Sequence, residues 1–505
     1  MAVGISGMSL RSIIVCFSLL ALPVVGSCRE PVRSSELARN GVLDLRQGVD
    51  HLTSLSGEWK FYPGRLLKQP DTDAPHTLLK VPGHWNAANP SGPDKAGTYH
   101  LRVLLPRDLP PMALRLEGVY TGWAIFVNGE KLMKSGVPAL DPENAQAGAR
   151  SAIVPLPAVV DDEWVLDLVI QVSNFDYREG GIRKPVRLGS LSATQDITLK
   201  ARARDIFLAG ALIMIGLYHF SLIAVRKRTH APAFLALHCM AIAIRPLTTG
   251  EEVLLHLWPE AGYHFYLSLE YLSLPLSVVF FLLFLRSLFP GRLANFLALV
   301  IGFGALPLVL LPLFLSTMWL SRLVWLYQLH LVLSGIAILG FLVLAVIQKK
   351  PDGLAILLGG IPLFLGVMND VLSARGVLNT IQIGSFSLVP FVLLQSALLS
   401  VRFARSFNRV EQLSEELQSK NKELRRLDEL KDEFLANTSH ELRTPLHGII
   451  GITESVLQGA TGKIGEQTRT NLRLVAASGR RLTALVNDIL DFSRANHGDL
   501  QIHPQ

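Results

Sequence analysis

Cysteine is nearly missing from this chain: Cys16, Cys28 and Cys239 are the only three in 505 residues. Their spacing supplies neither a metal site nor a disulfide framework, which excludes zinc modules and disulfide-stapled secreted scaffolds. A phosphate loop is missing too. No G-x-x-x-x-G-K-[ST] occurs, and "GATGKIG" has the wrong spacing. A long apolar region contains no lysine deep within a span, so it offers no retinal-type attachment point. It also shows no matched internal repeat of the kind transporters carry.

Apolar residues, by contrast, are abundant. They make up 50% of the chain, and mean hydropathy is +0.35. Those values fit a membrane protein with soluble parts. The net charge of +7 would by itself invite a nucleic-acid partner. The basic residues sit beside apolar stretches, however, so the membrane accounts for them and no nucleic acid is expected.

Residues 1–28 have Arg11, then the apolar run "SIIVCFSLLALPVV", then the small residues Gly26 and Ser27. This reads as an export signal, too short for an ordinary membrane span of about 20 residues. "VGSC" also resembles a bacterial lipoprotein cleavage site, which would make Cys28 the lipidated residue.

Residues 29–200 alternate apolar and polar positions over short runs broken by Pro, Gly, Asn and Asp. In "WVLDLVIQVSNF", Leu166, Leu168, Ile170 and Val172 share one face with period two. In "GWAIFVNGEKL", a strand meets Asn128-Gly129, a strong hairpin signal. The region is expected to be an all-β sandwich exported from the cytoplasm. "LSGEWKFYPG", "VPGHWN", "GTYHLRVLLP", "GVYTGWAIFVNGEKL" and "LDLVIQVSNFDYREGGIRKPVRLG" follow in that order. The series resembles the jelly-roll sugar-binding domain of β-galactosidase-type glycosidases, and extracellular sensor domains fused to seven-helix bacterial receptors. The resemblance implies a jelly roll and leaves a carbohydrate or other small-molecule ligand open. Trp59, Trp85 and Trp123 are either sugar-stacking platforms or core. No catalytic barrel follows, so a glycosidase is not expected.

From 203 to 405 the chain reads as seven membrane spans, roughly 206–225, 232–250, 264–285, 293–315, 323–347, 354–374 and 383–403. Loops on one side carry Arg226-Lys227-Arg228, Arg286, Arg292, Lys349 and Lys350; the opposite loops carry Glu251, Glu252 and Glu260. The positive-inside rule puts the first set in the cytoplasm, the sandwich outside and the C-terminus inside a bacterial inner membrane. Arg245, Glu270 and Asp370 then all fall in the outer third of the membrane. They read either as a polar pocket or switch beneath the outer domain, or as interfacial charges reaching headgroups.

After Val401 the composition turns charged. Val410, Leu417 and Leu424 are seven apart, and Leu413, Leu427 and Phe434 share the other seam, with Lys420 interrupting it. This heptad pattern over 406–430 predicts a helical dimer running directly from the seventh span, with a single amphipathic helix as the alternative. Next comes "ANTSHELRTPLHGII", residues 436–450. Leu435, Leu442, Leu446 and Ile449 are expected to form one apolar stripe. His440 lies about 200° around the helix from Leu442, facing solvent. An exposed imidazole is a competent nucleophile at neutral pH, and the adjacent Glu441 has the chemistry of a general base. Pro445 lacks the N–H that would bond the carbonyl of Glu441, so a bend is expected there. His440 and His447 are seven apart, and geometry does not choose between them.

"FLANTSHELRTPLHGIIG" closely resembles the phosphoacceptor motif of the sensor histidine kinases, and "LVNDILDFSR" resembles the second helix of the same domain. The resemblance implies an α-helical hairpin over 431–497 that pairs in a four-helix bundle. It implies His440 as phosphoacceptor, Glu441 as general base, and Thr444 in dephosphorylating a response regulator, with His447 a supporting neighbour at most. It also implies ATP and Mg2+, bound by a separate α/β domain, and a response regulator as partner. No metal site is expected on this chain. Residues 498–505, "GDLQIHPQ" with its first residue Gly498, read as a link to that ATP-binding domain cut short. The expectation is a sensor histidine kinase whose chain alone lacks autokinase activity. The alternatives are an acceptor phosphorylated in trans, a non-catalytic dimeric receptor or scaffold, and a carbohydrate-binding membrane protein.

Overall fold

The computed structural model describes residues 37–49, 52–71, 73–85, 95–107, 109–148, 150–157, 165–225, 230–375, 377–378, 380 and 383–496. The expected signal segment with Cys28, the basic triplet Arg226-Lys227-Arg228 and the terminal link lie outside them. The chain divides into two compact units, Met1–Leu399 and Ser400–Gln505.

The first unit begins with strands. β1 (Val42–Asp44), β3 (Gly57–Pro63), β4 (Thr77–Val81), β5 (Ala96–Leu104), β8 (Gly122–Val127), β9 (Glu130–Ser135) and β11 (Val165–Ser173) form a seven-stranded sheet in the order β4-β3-β5-β11-β8-β9, with β1 on β5. β10 (Ala152–Pro155), β6 (Met112–Leu116), β13 (Arg187–Ser190) and β2 (Leu52–Ser54) form a second sheet in that order. A short pair joins β7 (Val119–Tyr120) to β12 (Gly181–Ile182).

One apolar cluster draws on both larger sheets, with Leu101, Ile125 and Leu168 from one and Leu114, Val154 and Leu188 from the other, so the sheets share a core. Period two decides which residues enter it. Leu166, Leu168, Ile170 and Val172 of central strand β11 all point inward, as their alternation predicts. On the outer face of β11, Asp167 accepts from His100 (3.0 Å) and Arg102 (2.9 Å) on β5. Against the cost of burial, those hydrogen bonds hold its carboxyl at about 2. The β8–β9 hairpin turns at Asn128 and Gly129 with φ of +49° and +87°, the pair of positive φ values that a tight hairpin needs.

The three tryptophans belong to the core. Trp59 and Trp123 are 0% and 1% exposed, and Trp85 stacks on Tyr99 at 6.3 Å and 15°. Trp59 donates its indole N–H to the Leu55 carbonyl at 2.8 Å. None offers an open face to a sugar ring.

Helices follow directly. α1 (Leu191–Val225) starts where β13 ends, not near 206, and the Ser190 hydroxyl accepts the Ala193 N–H at its start (3.3 Å). Its first turns are polar, which is why hydropathy hides them. Then come α2 (Ala231–Thr248), the short α3 (Val253–Leu257), α4 (Gly262–Leu288), α5 (Arg292–Phe314), the short α6 (Thr317–Arg322), α7 (Val324–Ile347), α8 (Gly353–Ala374) and α9 (Gly384–Leu457). Among the described residues, seven helices are long and apolar enough to cross a membrane. Their outward side chains suit lipid: Leu299, Phe303 and Leu313 are each more than 70% exposed.

The sandwich rests on the loops after α2 and α5. The N–H of Arg178 donates to the Ser321 hydroxyl (2.9 Å), and the Thr317 hydroxyl donates to Asp176 (2.9 Å). Arg286, Arg292, Lys349 and Lys350 lie at the other ends of their helices.

The second unit pairs the end of α9 with α10 (Glu466–Asn496). Gly459 and Gly462, at φ +99° and +93°, supply the reversal between them.

Candidate functional sites

The phosphoacceptor candidate is built by the α9–α10 hairpin. Ser439, Leu446 and Thr453 recur every seven residues on α9 and are buried, as is Ala476 on α10. Close approach needs a small residue: a Cβ on Gly479 would meet Ile450 Cγ1 at 2.8 Å. Arg443 donates to Asn487 Oδ1 (2.7 Å) and Arg480 to Glu454 Oε1 (2.9 Å), fixing an antiparallel register.

The expected single stripe is in fact two seams. Leu446 faces α10, whereas Leu442 and Ile449 are 45% and 50% exposed on the neighbouring seam. The seven-residue spacing of 435, 442 and 449 separates them from 439, 446 and 453, a division that a simple apolar stripe does not reveal.

His440 immediately follows buried Ser439 and is exposed, as are Glu441, Thr444 and His447. The Thr444 hydroxyl donates to the His440 carbonyl at 3.2 Å, one turn away. The helix continues through Pro445 to Leu457, so the proline does not end it. The imidazole therefore stands on solvent while the next residue back anchors its turn. Among the described residues no group of three or more His, Cys, Asp or Glu is placed to hold a metal ion.

A second candidate lies where the sandwich meets the helices. Arg245, Glu270 and Asp370, far apart in sequence, line one cavity of about 600 Å³. Arg245 sits in the last turn of α2, just before Pro246; its carbonyl accepts the Thr249 N–H (2.8 Å) and hydroxyl (2.7 Å), which closes the helix end. Arg245 Nη1 and Glu270 Oε1 are 4.0 Å apart. Asp370 accepts the N–H groups of Ile383 (2.8 Å) and Gly384 (3.1 Å), so it caps α9 from α8. A Cβ on Gly384 would meet Asp370 Oδ2 at 2.6 Å, so a larger residue there would displace the capping carboxylate.

Sequence reading passed over the contacts above this cavity. Arg115, 5% exposed in the otherwise apolar strand β6, pairs with Glu117 (2.6 Å) and with Glu251 from the loop after α2. Glu252, in the left-handed region at φ +54°, accepts the Ser151 N–H at 3.0 Å. Burial pushes its carboxyl up to about 8, against the pull of Lys184 and the Ser151 N–H. The available signal was an arginine inside a run of buried strand positions, because a buried charge requires a partner.

Comparison with known proteins assigns these regions. Residues 202–405 match the family described as 7TM diverse intracellular signalling, and residues 430–498 match the His Kinase A (phospho-acceptor) domain. Among curated proteins, the chain is similar to hybrid signal transduction histidine kinase D of Dictyostelium discoideum, 40% identical over 94 residues, covering 19% of this chain and 6% of that protein. It is also similar to the cell-division control histidine kinase PdhS of Brucella anthropi, 41% identical over 99 residues, covering 19% of this chain and 9% of that protein. The match thus spans a tenth or less of either relative. Among solved structures, a Faecalibacterium prausnitzii beta-glucuronidase is 16% identical with a TM-score of 0.22, covering 27% of this chain and 31% of that one. A Ruminococcus gnavus beta-glucuronidase is 15% identical with a TM-score of 0.21, covering 27% and 28%. The sandwich is defined by its own strand pairing. The chain joins a 7TM diverse intracellular signalling region to a histidine kinase phospho-acceptor domain.

Proposed function

We propose that this chain is the sensor and phosphoacceptor part of a membrane-bound histidine kinase in two-component signalling, and that His440 carries the phosphoryl group. The observation that carries the reading is the exposed His440 imidazole beside buried Ser439, within the matched phospho-acceptor region.

The chemistry has two steps. An imidazole nitrogen of His440 attacks the γ-phosphorus of ATP; an N–P bond forms, the bond to the bridging oxygen breaks and ADP leaves. Glu441 takes the proton from the ring. A response-regulator aspartate then attacks that phosphorus, the N–P bond breaks and an acyl phosphate forms. Thr444, one turn on, orients water for hydrolysis of the regulator's phosphate. In this reading ATP and Mg2+ are presented by a histidine kinase ATP-binding domain, and the described residues supply the acceptor.

In this reading the sandwich is a jelly roll outside a bacterial inner membrane, with 1–28 an export signal, Cys28 a candidate lipid anchor and the C-terminus cytoplasmic. The acidic loop at Glu251 and Glu252 packs on the sandwich, and Arg286, Arg292, Lys349 and Lys350 lie at the opposite ends, which supports that orientation. The chain works as a homodimer. Supporting this, Val410, Leu417 and Leu424 are 63%, 71% and 65% exposed in the single chain, as an unfilled coiled-coil seam requires.

The test is phosphorylation of the full chain in membranes by ATP with a histidine kinase ATP-binding domain added in trans. Acid-labile, base-stable label is expected on the wild type and no label on His440→Gln. Label that survives in His440→Gln and disappears in His447→Gln would sink the assignment.

A further inference from the structure

We infer that the cavity between sandwich and helices is a binding site for a small zwitterion, an amino acid with an apolar side chain, whose carboxylate meets Arg245 and whose ammonium meets Glu270. The inference stands on the charges of the cavity wall and does not rest on the phosphoacceptor reading.

The other charged side chains on that wall each have an ion pair or a hydrogen bond. Arg178 and Arg183 reach Glu179 at 3.3 and 3.1 Å, and Lys184 reaches Glu117 at 3.3 Å. Asp370 is held by the start of α9, and Glu252 by the Ser151 N–H. Arg245 and Glu270 differ. They face each other at 4.0 Å, beyond hydrogen-bonding distance, and neither side chain makes a described hydrogen bond, although the Arg245 charge also acts on Asp370. Yet 29% and 22% of their side-chain surface is open, and the opening is the cavity itself. Two opposite charges largely withdrawn from solvent at this junction without hydrogen bonds are costly. A molecule carrying the complementary pair of charges supplies the missing bonds to both at once.

The rest of the wall fits the same occupant. Tyr266 and Tyr271 lie one turn or less from Glu270 on α4, and aromatic faces beside a carboxylate favour an ammonium. Below them Leu212, Ile242, Leu331 and Leu363 from four helices make an apolar floor for a side chain. Above, the Tyr120 and Tyr177 rings of the sandwich stack at 4.8 Å, with Arg183 over Tyr120 at 5.5 Å. A volume of about 600 Å³ lies within the range of small-molecule sites and leaves room for a large side chain.

The location gives binding a consequence. Roof and floor come from different layers, so an occupant ties the sandwich to the helices. Asp370, which caps α9, is on the same wall, and the sequence of α9 runs on to His440. A ligand that binds one arrangement of this junction better than another shifts the balance between them by the difference in affinity.

The experiment is binding to the full chain in nanodiscs, followed by thermal shift and calorimetry with leucine, phenylalanine and tryptophan. Phenylpropionate and phenethylamine serve as single-charge controls. At least one amino acid is expected to bind saturably and raise the melting temperature, with each control weaker by about tenfold or more, or 1.4 kcal/mol. Arg245→Met should remove amino-acid binding and leave weak phenethylamine binding, and Glu270→Gln the reverse. Leu331→Trp, which fills the floor and keeps both charges, should block all probes without lowering the melting temperature of the free protein. Two outcomes overturn the inference: no amino acid binds at millimolar concentration, or phenylpropionate binds as tightly as phenylalanine and Glu270→Gln changes nothing.

Discussion

The sandwich and the phosphoacceptor hairpin solve the burial problem in opposite ways. In the sandwich a single chain closes its own core: Trp59, Leu101, Leu114, Ile125 and Leu168 are all 0–1% exposed. In the hairpin a single chain buries one seam and leaves a second open, with Leu442, Ile449, Leu474, Leu482, Leu485 and Ile489 between 45% and 70% exposed. Two sheets present two broad apolar faces that cover each other, whereas a pair of helices has faces left over once each has covered its neighbour. The difference teaches that the sandwich closes its core within one chain, while the hairpin that carries His440 leaves a seam open on which another hairpin can pack.

The comparison breaks first at the open seam. Ile449→Glu combined with Leu482→Glu puts charges where the second hairpin should pack, at a cost of several kcal/mol, about 2–7 for each polar group left without a partner. Crosslinking and sedimentation of the full chain should show loss of the dimer with the near-UV signal of the sandwich tryptophans unchanged. A wild-type chain that is monomeric with a fully helical hairpin would end the contrast.

Arg115→Ala probes the sandwich side. It leaves Glu251 buried without its cation, and the loss should be about 3–5 kcal/mol. Denaturation in detergent would measure it, and the extra removal of Glu251 as Gln should restore part of the loss. If Arg115→Ala is silent, the sandwich does not depend on the loop after α2.

pH gives a third test. The folded carboxyl of Glu252 is raised from 4.5 to about 8, so the folded state keeps a proton that the unfolded chain has released. Stability from this group is fully present below 4.5 and is lost as pH rises toward 8. Melting temperature should fall across that window, and Glu252→Gln should flatten the profile. The groups facing Glu252 are Lys184, Glu270, Glu117 and the Ser151 N–H, and their own removal should shift the window and not abolish it. Asp167 gives the opposite sign in a separate window: its carboxyl is lowered from 3.8 to about 2, so its contribution is present above 3.8 and lost as pH falls through 2.

The smallest change sharpens the comparison at the linker. Lys420 interrupts a seam otherwise filled by Leu413, Leu427 and Phe434. Lys420→Leu should tighten the dimer by about 1 kcal/mol through added methylene burial, read from the concentration dependence of melting.

How much of this was legible in the sequence follows the range of the interactions. The inward face of β11, the turn at Asn128-Gly129 and the seven apolar helices are local patterns of period two, turn chemistry and hydropathy, and they need no partner to be recognised. The start of α1 was missed because its first turns, with Thr194, Thr198 and Asp205, are polar yet buried against the protein. The tryptophans could be read as core or as platform until burial decided. On α9 the sequence shows which residues are apolar, but which of two adjacent seams meets α10 depends on the crossing of two helices. That choice buries Leu446 and leaves Leu442 and Ile449 open.

By itself, then, the sequence determined the order of parts and singled out His440, because a contiguous motif on one helix carries its own meaning. Only the tertiary structure brought Arg245, Glu270 and Asp370 from three helices onto one wall, and laid Tyr120 and Tyr177 of the sandwich over them. Each helix places its own charge by its own period. Whether those charges pair, cap a neighbouring helix or face a cavity is decided by how the helices pack, which sets distances between residues that the chain separates by 25 to 125 positions.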